Sequence, residues 1–98
     1  MTDLDALARD YKVAFLSYLA RRDESALHRG YQLGRSAVVG GSSMLDLARV
    51  HHKVLLEVLA DTQPNPEEVT AVATAASDFL LEVLATYDMT QRAFREAL

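Results

Sequence analysis

The chain is expected to fold as an all-α protein: a four-helix up-down bundle with a long C-terminal helix. Three observations predict this. Apolar residues recur at three- and four-residue spacing in four successive stretches. Each stretch opens at a capping residue, and glycine, proline or basic residues close the first three. The last stretch, Asn65 to Leu98, has no Gly or Pro after Pro66. At 1.5 Å per residue it reaches about 50 Å, against roughly 25–30 Å for each helix before it.

The first helix is predicted over Asp3–Arg22, with Thr2 or Asp3 as its cap. Leu4, Leu7, Ala8, Tyr11, Phe15, Tyr18 and Leu19 form its apolar stripe. Arg21 and Arg22 place positive charge at the negative end of the helix dipole, a structural reading preferred over an anion contact. Asp23 caps the second helix, with Glu24 in its first turn. Leu27, Gly30, Gly34 and Val38 share one face of that helix, where the glycines let a neighbouring helix approach closely. Glu24, His28, Tyr31 and Arg35 fall on another face, offset toward solvent. Tyr and Arg are favoured where proteins dock, so this strip is the candidate partner-binding surface.

Gly40-Gly41 ends the second helix, the first glycine suiting a left-handed cap. No strand precedes the pair and no lysine follows at phosphate-loop spacing, so it reads as a turn. Ser43 and Asp46 can form a capping box for a third helix over Met44–Ala60. Its inward face is Leu47, His51, Val54, Leu55 and Val58. Adjacent on a helix, His51 and His52 diverge by about 100° and do not suit one metal ion. His51 therefore reads as a hydrogen-bonded core histidine, with a pH-sensitive role as the alternative. Pro64 breaks the chain before the fourth helix. There Asn65 caps, Pro66 takes the first turn, and Glu67 and Glu68 complement the dipole. Val69, Val72, Ala73, Ala76, Phe79, Leu80, Val83, Leu84, Tyr87, Phe94 and Leu98 carry its stripe. The far end outruns the bundle, so its apolar residues need another chain or a following domain to cover them; Val83, Tyr87 and Phe94 are the candidate dimer interface.

Bulk properties narrow the function. The 98 residues suffice for one domain, 1–98, with a modest core. No cysteine is present, so disulfides and thiolate metal sites are excluded. The net charge of −4 argues against unaided nucleic-acid or anionic-membrane binding. The acidic N-terminus is unlike a signal peptide, and no apolar run is expected to reach membrane-spanning length. A cytoplasmic location fits these features. No nucleophile–base pair, carboxylate pair or metal spacing emerges, so the chain is read as non-catalytic, with no cofactor and no metal.

These residues carry a family resemblance. Tyr11, Tyr18-Leu19-Ala20, Glu24-Ser25-Ala26-Leu27, Ser36, His51-His52-Lys53-Val54-Leu55, Glu57, Asp78-Phe79-Leu80-Leu81-Glu82-Val83 and Tyr87-Asp88-Met89 make the chain similar to the N-terminal domain of RsbU-type, sigma-B regulatory serine phosphatases. The resemblance covers nearly the whole chain through dispersed helical positions. It implies a fold related to the KaiA C-terminal domain, a homodimer, and a partner of the RsbT type, a small switch kinase. In that family the bound partner activates a C-terminal metal-dependent phosphatase acting on an anti-sigma antagonist in the general stress response. The sequence stops mid-pattern at Leu98, as a domain excised from a longer chain would. The alternative reading is an input or dimerisation domain for another output, such as a sensor histidine kinase.

Overall fold

The computed structural model describes residues 3–97, so Thr2 as a cap and Leu98 as a core residue lie outside the described residues. Four helices form: α1 (Asp3–Arg21), α2 (Glu24–Val39), α3 (Met44–Ala60) and α4 (Pro66–Ala97). No strand occurs among the described residues.

Side-chain caps start three of the helices. Asp23 accepts the Ala26 N–H at 2.8 Å, and Asn65 accepts that of Glu68 at 2.8 Å. At α3 the box is reciprocal: Ser43 Oγ accepts the Asp46 N–H at 3.0 Å, and Asp46 accepts the Ser43 N–H at 2.9 Å. The caps satisfy amide groups that have no partner within the helix. The N-cap hydrogen bond also holds the Asp23 carboxyl below the usual carboxylate range, assisted by Arg21. The left-handed glycine is not the expected one. Gly40 is right-handed at φ −79°, and Gly41 takes φ +81°, one residue farther along.

Arg22, also left-handed at φ 53°, ends α1. Its guanidinium lies 5.1 Å from the centre of the Tyr18 ring and 3.3 Å from Asp78 of α4. Arg21 meets Asp23 at 3.1 Å. The two arginines thus serve the α1–α2 corner and tie it to α4.

The core is centred on Phe79, fully buried in α4. Tyr11, Phe15 and Tyr18 of α1 bring their rings to within 5.2, 5.8 and 5.9 Å of it, the Tyr11 contact being edge-on. Such aromatic pairs add about 0.5–1.5 kcal/mol beyond their buried area. Leu47, Val54 and Val58 of α3 and Val72, Ala76, Val83 and Tyr87 of α4 fill the remaining space. The predicted stripes are therefore largely the buried ones. Exceptions are Leu4 at the start of α1, Val69 and Ala73 near the start of α4 and Phe94 near its end, which are exposed.

Helix adjacency departs from a simple ring in which each helix flanks the next. The closest pair is α2 with α4, while α1 touches all three others and the consecutive helices α2 and α3 scarcely meet. Glycine explains the first contact. A Cβ on Gly30 would come 3.1 Å from the Phe79 ring, and one on Gly34 would overlap Thr86 and the Val83 carbonyl. Gly30 faces 79–83 and Gly34 faces 83–87, so α2 and α4 run in the same direction. The small-residue face of α2 permits that approach.

At 32 residues α4 is, contrary to expectation, long and apolar enough by composition to cross a bilayer. In this fold its apolar stripe from Val72 to Tyr87 forms the bundle core. From Arg92 to Ala97 every residue is exposed.

Candidate functional site

The α2 strip lies on the outer surface, as its helical spacing requires. Glu24, His28 and Arg35 are exposed and Tyr31 is half-buried. His28 stacks on Tyr31 with ring centres 5.3 Å apart and planes 13° from parallel. Glu24 and Arg35 make no ion pair among the described residues. An aromatic plate thus sits between an acid one turn before it and a base one turn after it.

The strip does not stand alone. Tyr31 and Arg35 form one wall of an open groove of about 350 Å³ whose other wall is the end of α4: Met89, Thr90, Ala93, Phe94 and Ala97. The candidate strip, through Tyr31 and Arg35, shares this groove with the tail, which the sequence reads as a separate surface. Met89 and Phe94 expose 58% and 51% of their surface, large fractions for apolar side chains. The structure divides the three candidate interface residues. Val83 and Tyr87 are buried in the chain's own core, and the Tyr87 hydroxyl donates to the Ser42 carbonyl at 2.7 Å. Phe94 alone has a face free for a second chain.

Sequence reasoning missed Met89 as a groove residue. It lies one helical turn before Ala93, which was its only available signal.

His51 has the core role read from its position. Its Nδ1 lies 2.9 Å from the hydroxyl of buried Tyr11, across 40 residues of chain. Burial holds the imidazole below the ordinary histidine range, and neighbouring His52 adds to the effect. Desolvation pushes the Tyr11 hydroxyl well above the ordinary tyrosine range. At neutral pH both groups are uncharged, and the His51 tautomer sets which of the two donates. One turn along the same α1–α3 seam, Lys12 and Lys53 meet Glu57 at 3.1 and 3.4 Å and hold its carboxyl below the usual range. No three His, Cys, Asp or Glu side chains gather as metal ligands among the described residues.

A second groove of about 560 Å³ lies between α1 and α2, lined by Leu7, Val13 and Leu33 together with Asp10 and Arg29. The fold is that of a small all-α helical domain. More particularly, the chain belongs to the family described as phosphoserine phosphatase RsbU, N-terminal domain, whose model matches residues 9–90. That domain is the regulatory part of the phosphatase, distinct from the catalytic part. No curated protein and no solved structure matches the chain. The match ends at Thr90, so the exposed end of α4 beyond it lies outside the matched residues.

Proposed function

We propose that this chain is a cytoplasmic, homodimeric, non-catalytic receiving domain in which partner docking is coupled to the pairing of two α4 tails. The observation that carries the reading is the shared groove, with Tyr31 and Arg35 on one wall and Met89 and Phe94 on the other. The α4 stripe that builds the core through Val83 and Tyr87 continues as Thr90, Phe94 and Ala97, past the bundle that sheltered it. A second tail can cover that continuation. Membership of the family supports a serine phosphatase as the output, and the exposed strip of Glu24, His28, Tyr31 and Arg35 is the proposed seat of a switch protein of the RsbT type. Arg35 and Tyr31 belong to both surfaces, so a partner that contacts them acts directly on the tail contact. A coupling of about 1–3 kcal/mol between the two events gives a 5–150-fold response.

Light scattering on the chain at high micromolar concentration tests the first half. The expected mass is twice 10.8 kDa, and a Phe94→Glu variant is expected at the single-chain value. A wild-type chain that stays monomeric overturns the dimer. For the second half, Glu24→Lys and Arg35→Glu are expected to weaken binding of an RsbT-type protein by tenfold or more without altering helicity. Unchanged binding in both variants removes the strip from the partner surface.

A further inference from the structure

We draw no further inference here: the strongest candidate, the open groove between α1 and α2 lined by Val13, Leu33, Asp10 and Arg29, is a largely apolar surface, and nothing in the structure shows what covers it.

Discussion

The two parts of α4 share one helical pattern and meet opposite fates. From Val72 to Tyr87 its stripe is sealed by α1, α2 and α3, with Phe79 and Val83 fully buried. From Thr90 to Ala97 the same periodicity continues, but Phe94 is half exposed and Arg92 to Ala97 are all on the surface. Helical spacing states which side chains can be covered together. Whether anything covers them depends on how far the neighbouring helices reach. The first part of α4 therefore contributes to stability within one chain, and the second is available for association.

The sharpest test of this contrast is Phe79→Ala, which empties the centre of the core. Its expected cost is about 3–5 kcal/mol, read as a fall in the urea midpoint; a smaller loss than that of Phe94→Ala would break the comparison. Next, Gly34→Ala forces a methyl group into Thr86 and the Val83 carbonyl. Because backbone blocks the way, the expected destabilisation is about 1–3 kcal/mol, and an unchanged midpoint would show that α2 and α4 are farther apart.

The part-buried Tyr11–His51 bond comes third. Tyr11→Phe leaves His51 Nδ1 without its hydrogen-bond partner, at an expected cost of about 1 kcal/mol. The same bond has a pH signature. His51 titrates below 6.5 in the folded chain, and the unfolded chain binds that proton more readily. Its contribution is therefore fully present above the unfolded value and is lost as pH falls through 6.5 toward the lower folded value. Urea midpoints between pH 7.5 and 5 are expected to fall more steeply for wild type than for His51→Gln; parallel curves would remove His51 from the acid response.

The smallest expected effect on the fold is at the tail. Phe94→Ser is expected to change single-chain stability by less than about 0.5 kcal/mol while abolishing self-association, with denaturation at low concentration and light scattering as the two readouts. A large loss of single-chain stability would place Phe94 in the core after all.

The legible parts of the fold were those with local causes. The Asp23, Ser43 and Asn65 caps act within three residues, and Met44–Ala60 was bounded correctly because a capping box opens it and a turn closes it. The glycine face of α2 was legible as a place of close approach, and His51 as a bonded core histidine, though the sequence named neither neighbour. The candidate strip kept its exposure because its four residues share one helix. Its union with Met89 and Phe94 was not legible, since it needs α2 and α4 side by side and parallel.

By itself, then, the sequence determined four helices, most of their boundaries and the faces that would seek burial, because propensity, capping and periodicity act over a few residues. The tertiary structure decided which helix lies against which, that Tyr11 meets His51 across 40 residues, and where along α4 the shelter ends. Those outcomes depend on packing between distant segments, and helical periodicity carries no information about the reach of a neighbouring helix.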